Sequence, residues 1–184
     1  MVIHYSIESG RITSRIANEP RCSSFPAKRG KRKALIISTH HQPYGRGLQK
    51  TGHGHPGNQL MLSQLEEKWK ATGIWPDLFL SGHAHKYERY MRKELLNGKI
   101  QTIPFLVAGA GGHAVQPAAP NINTTDGDVT YAMGAPLKGT TTAGFSNYGY
   151  GYLTVTVTKK TIEALYTLVQ EGHRQPLETT TINL

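Results

Sequence analysis

The chain has 184 residues, with 21 Lys/Arg against 12 Asp/Glu for a formal net charge of +9, and 38% hydrophobic residues. That suits one domain of ordinary size, and no apolar run approaches the ~18 residues of a membrane span. A single cysteine, Cys22, excludes an internal disulfide framework and an all-cysteine metal site, so a metal would fall to the nine His or to the acids, of which only three are Asp.

Residues 1–33 carry eight Lys/Arg against Glu8 and Glu19, most of the net charge. Met1-Val2-Ile3-His4-Tyr5 shows no basic stretch leading into an apolar core, so no secretory signal is read there and the default compartment is cytoplasmic. The run Lys28-Arg29-Gly30-Lys31-Arg32-Lys33 reads as a solvated linker or a patch for an acidic partner. No aromatic stacking pattern accompanies it, which argues against nucleic acid. The sequence therefore divides into a basic, poorly ordered or irregular arm, 1–33, and a folded part, 34–184.

Ala34-Leu35-Ile36-Ile37 reads as a buried strand ending at His40-His41. Residues 43–58, rich in Gly, Pro and His, form a loop. Asn58 is an N-cap for a helix whose apolar face holds Met61, Leu62, Leu65 and Trp69, and Gly73 stops it. Asp77-Leu78-Phe79-Leu80-Ser81 is a second buried strand, so strand, helix and strand suit a βαβ unit with a parallel pair. Ile103–Ala108 is a third strand, 113–149 a long loop region, and Leu153–Val157 with Ile162–Tyr166 a hairpin.

The histidines carry the chemistry. His40-His41 follows one strand and Gly82-His83-Ala84-His85 another. Ligands in open α/β sheets gather at the carboxyl ends of strands. Two such ends side by side would bring His40, His83 and His85 together, with 83 and 85 facing one way if the chain stays extended. Neutral imidazole suits Zn, Fe, Mn or Co. Gly52-His53-Gly54-His55 has the same Gly-His-x-His spelling but follows no strand, so no rigid element is expected to hold it.

Ile37-x-x-His40 with Pro43-Tyr44, then Gly82-His83-Ala84-His85-Lys86-Tyr87-Glu88-Arg89, then Phe105-Leu-Val-Ala-Gly-Ala-Gly-Gly112, resembles the calcineurin-like metallophosphoesterases, in the branch nearest the purple acid phosphatases. The resemblance covers roughly residues 34–170. It implies an α/β (α+β) chain forming the C-terminal half of a four-layer αββα sandwich. It also implies phosphate ester hydrolysis at a dinuclear centre of Fe, Zn or Mn. On this resemblance His40 and His83 ligate one metal, His85 the other, and His41 and Tyr44 touch the substrate. Loop 45–58 covers the substrate, and Tyr87, Glu88 and Arg89 brace the site.

The Asp-bearing motifs that the resemblance calls for are absent, since no Asp precedes Asp77 and no Gly-Asn-His occurs. Two dications a few ångströms apart without bridging carboxylates repel strongly. The expectation is a partial site that binds at most one metal, loosely, and hydrolyses phosphate esters poorly alone. Such a chain would be a truncated or split piece whose partner is the missing half or a second copy. Two alternatives stand beside it: a mononuclear three-His zinc hydrolase with an open fourth position, and a non-catalytic module using the basic arm.

Overall fold

The computed structural model describes residues 2–8, 11–14, 34–45, 55–112, 124–126, 129–133 and 150–184. The basic run 28–33, His53 and most of the 113–149 region lie outside the described residues. The elements, in chain order, are β1 (Val2–Glu8), β2 (Arg11–Ser14), β3 (Ile36–Thr39), α1 (Gln59–Thr72), β4 (Leu78–Ser81), β5 (Tyr87–Leu96), β6 (Lys99–Ala108), β7 (Thr124–Asp126), β8 (Val129–Met133), β9 (Tyr150–Val157), β10 (Thr161–Gln170) and β11 (His173–Asn183). They build a mixed α/β fold of two sheets, ordered β2-β1-β3-β4-β6-β5-β8-β7 and β11-β10-β9.

The centre of the larger sheet is parallel. β3 pairs with β4 in the register Ile36↔Leu78 to Thr39↔Ser81, and β4 pairs with β6 from Phe79↔Phe105 to Ser81↔Val107. These strands alternate between two buried faces. Ile37, Phe79 and Phe105 pack under Met61, Leu65 and Trp69 of α1, with Phe79 stacked on Phe105 at 5.1 Å between centroids. Ile36, Leu78, Leu80 and Leu106 meet Ile162, Ala164, Ile182, Leu153 and Val155 of the smaller sheet. Burial on both sides explains why these strands read as continuous apolar runs. Helix, sheet and sheet make three layers, and no second helical layer occurs among the described residues.

The helix forms where the sequence places it. Asn58 Oδ1 accepts from the Met61 amide at 2.9 Å, and Gly73 closes the helix at φ 66°, a conformation that costs glycine little. Asp77 is fully buried. Its Oδ2 accepts from the Leu35 amide at 2.8 Å, and its own amide donates to Leu35 O at 2.8 Å. The carboxylate thus ties the start of β4 to the start of β3.

Several elements differ from the sequence reading. β1 runs parallel to β3, Val2↔Ile36 to His4↔Ser38, and β2 folds back on β1, so two strands occur in the segment read as an irregular arm. The sequence of β1 does alternate, with Ile3, Tyr5 and Ile7 between His4, Ser6 and Glu8, a signal overlooked beside the basic charge that follows; β2 has only four residues and one apolar side chain. β5 carries five charged side chains and resembles a solvated stretch, but it pairs with β6 along its whole length. The two meet at Asn97-Gly98, with φ 52° and 74°, the positive pair a two-residue hairpin turn needs. β7 and β8 fall inside the expected loop 113–149, and β11 extends the C-terminal hairpin to three strands.

No helix among the described residues is long and apolar enough to cross a membrane. Arg92 of β5 is half-buried beside Trp75 and bridges Glu66 of α1 and Glu94 of its own strand. Burial alone would raise the Glu66 carboxyl. The hydrogen bond and charge of Arg92, then those of Lys70, outweigh it and hold the carboxyl below its ordinary value of 4.5. A depressed folded-state pKa stabilises the fold above the unfolded value and is lost as pH falls through the folded one. Thermal stability should therefore drop as pH falls below about 4.5, and Glu66→Gln should flatten that drop in melts recorded across the acid range.

Candidate metal centre

Because Thr39 and Ser81 are register partners in the parallel pair, β3 and β4 end side by side. The turns beyond them are stitched by Gly82 N to His40 O at 3.1 Å and by Thr39 Oγ1 donating to His41 O at 2.7 Å. Three imidazoles meet there. His40, His41 and His83 each place one ring nitrogen so that all three lie within 4.8 Å of one another. His83 Nδ1 is 3.1 Å from His40 Nε2. The ring centroids are 4.9 Å apart for His40–His41 and for His40–His83, and 4.3 Å for His41–His83. This cluster can hold a metal ion.

The backbone after β4 is not extended. His83 takes φ 55°, Ala84 N donates back to Gly82 O at 2.7 Å and Lys86 N to Ala84 O at 2.8 Å. Two tight turns in succession remove the two-residue alternation expected for 83 and 85. His83 joins His40 and His41, whereas His85 lies outside that set. Its ring approaches His55 instead, at 6.4 Å between centroids.

His55 belongs to the Gly-His-x-His segment that follows no strand. Its ring nevertheless lies 4.2 Å from that of His83 between centroids. Gln42, 1% exposed, supplies the support that secondary structure does not: its Nε2 donates to His55 O at 2.9 Å, and Asn58 N donates to Gln42 O at 2.9 Å. The legible signal was Gln42 itself, a long amide inserted between His41 and Pro43.

Tyr44 stacks on Tyr90 at 5.3 Å and meets Phe105 edge-on at 4.9 Å, and its hydroxyl accepts from Arg92 Nη1 at 2.8 Å. Burial first, then the carboxylates of Glu66 and Glu94, raise its pKa against the opposing pull of Arg92, so the phenol stays neutral.

The pKa of His83 is pushed down to about 4, first by burial and then by His41, His55, His40 and His85. His41 is also lowered, by burial and then by His40 and His55. At neutral pH these two rings are unprotonated, the form that ligates metals. The donor set thus fits one ion of the borderline class that imidazole favours. It does not fit the dinuclear centre, because the metal-ligating group found among the described residues contains no carboxylate. Buried and half-buried acids elsewhere in the fold are engaged. Asp77 caps Leu35, and Glu88 pairs with Lys86 Nζ at 2.6 Å while accepting from the Tyr90 hydroxyl at 3.0 Å. Glu178 takes Tyr87 and Arg89 at 2.7 and 2.8 Å.

No protein-family model matches the chain, and no curated protein matches it. Among solved structures, a single mutant of Vps29 from Entamoeba histolytica aligns over 100% of this chain and 99% of its own, at 11% identity and a TM-score of 0.25. So slight a likeness leaves the fold to rest on its own strand order and packing.

Lys86 and Glu88 are 1% and 0% exposed, and the Lys86 carbonyl accepts from Gly109 N at 3.1 Å. That backbone bond joins the histidine turn to the residue after β6, next to the buried pair. Lys86→Met, which strands a buried carboxylate, should cost about 3–5 kcal/mol in denaturant unfolding, and Lys86→Met with Glu88→Leu should recover most of it.

Proposed function

We propose that the chain is a metal-dependent phosphoester hydrolase of the calcineurin-like kind, working with one bound ion at His40, His41 and His83. The observation that carries this reading is the convergence of three imidazole nitrogens at the tips of two adjacent parallel strands. The motif pair Ile37-x-x-His40 and Gly82-His83-Ala84-His85-Lys86-Tyr87-Glu88-Arg89 supports it, because those residues flank and brace that convergence.

A divalent ion held by these histidines would supply Lewis acidity and lower the pKa of a water. The chain's own residues do the rest. In this reading His41, grouped with His40 and His83, serves as a ligand, and His85 is left to meet the substrate or its leaving group. Tyr44, fixed by Arg92 and by its stack on Tyr90, steadies the segment that follows His41. With no carboxylate in the cluster to offset a second dication, one ion is the complement, and turnover is slow.

Purified protein loaded with zinc, cobalt or manganese should hydrolyse p-nitrophenyl phosphate slowly and lose that activity on chelation. His83→Ala should reduce it by more than the ~10–100-fold that losing even a ligand's hydrogen-bond partner costs. Turnover indifferent to chelator and to His83→Ala, or absent with every metal, would overturn the reading.

A further inference from the structure

We propose that His55 is a fourth protein ligand, delivered by the loop segment 55–58 onto the ion held by His40, His41 and His83. The proposal rests on the metal-binding reading above and adds a donor set: four imidazoles, three from strand tips and one from a loop.

The ring separations carry it. His55 and His83 lie 4.2 Å apart between centroids, closer than His40 and His83 at 4.9 Å, a pair whose nitrogens are already 3.1 Å apart. His55 stands outside the three-histidine set in the structure; rotation about the bond from Cβ to an imidazole ring is soft, so turning the His55 ring is the movement that would bring a nitrogen toward the His83 side of the ion.

The backbone is meanwhile anchored to the strand tip that bears His40 and His41. Gln42 Nε2 reaches His55 O at 2.9 Å and Pro56 O at 3.4 Å, and Gly57 N donates to Gly45 O at 3.1 Å. The approach is so close that a Cβ on Gly57 would sit 2.3 Å from Pro43 O, and one on Gly45 would sit 2.8 Å from His55 O. Two glycines and one buried amide thus fold the loop back onto the cluster.

Four neutral nitrogen donors select ions of the zinc, cobalt, nickel and copper class over magnesium and calcium, which require oxygen. A fourth nitrogen would close the position that the three-histidine reading leaves to water. Three ligands sit on strand tips and the fourth on a loop, so His55 is the one that would swing away to admit water and the phosphate ester.

The test is cobalt(II) titration of the full chain, followed by visible absorption. His55→Ala should weaken cobalt binding by about tenfold or more and change the band shape. Gly57→Ala, which leaves the imidazole in place but lifts the loop, should weaken it in the same direction. His173→Ala, in exposed β11, should change neither. Cobalt binding with the same affinity and spectrum in wild type and His55→Ala would overturn the fourth ligand and leave the three-histidine site standing. No cobalt binding by the wild type would overturn both.

Discussion

Everything at the histidine cluster depends on the register of one parallel strand pair. Thr39 faces Ser81, so the residues that follow each strand emerge at the same level. A slip of one residue would exchange the two buried faces of β3 and turn Ile37 away from α1. The apolar residues that fix this register are not those that do chemistry: Ile37, Phe79 and Phe105 lock one face under Trp69, and Leu78 and Leu106 lock the other against the smaller sheet. Asp77, buried and bonded to the Leu35 amide, aligns the opposite end of the pair. The histidines inherit their convergence from the packing of these residues.

The electrostatic character of the region follows from where its carboxylates go. Asp77 binds backbone, Glu88 binds Lys86 and Tyr90, Glu178 binds Tyr87 and Arg89, and Glu66 binds Arg92. Each acid is committed to holding strands or helix in place. The imidazoles are thereby left in neutral company, with burial and mutual repulsion disfavouring protonation of His41 and His83. Such a cluster offers a cation lone pairs rather than net charge, the kind of donor that borderline ions favour.

The helix with its caps and the buried strands β3, β4 and β6 were legible because their patterns are local: a capping Asn58, a stopping Gly73 and apolar runs bounded by polar residues. The tips bearing His40 and His83 were legible for the same reason. β5 was obscured because its charges are paired across space, Arg92 with Glu66 and Arg89 with Glu178, and sequence shows charges without showing partners. The Asn97-Gly98 turn that joins it to β6 is a local hairpin signal that the sequence reading passed over. The separation of His85 from the cluster was not legible, because two tight turns replaced an extended segment. Nor was the approach of His55, which depends on a side-chain amide thirteen residues away.

The positive φ of His83 has an evolutionary corollary. A residue with a Cβ in the left-handed region carries a conformational cost of roughly 1–2 kcal/mol that glycine would escape. A chain released from the need for an imidazole at this turn would gain stability by drifting to glycine there. The persistence of histidine at position 83 among natural descendants of this sequence is therefore a gauge of selection on the site, and its loss would be an early mark of decay.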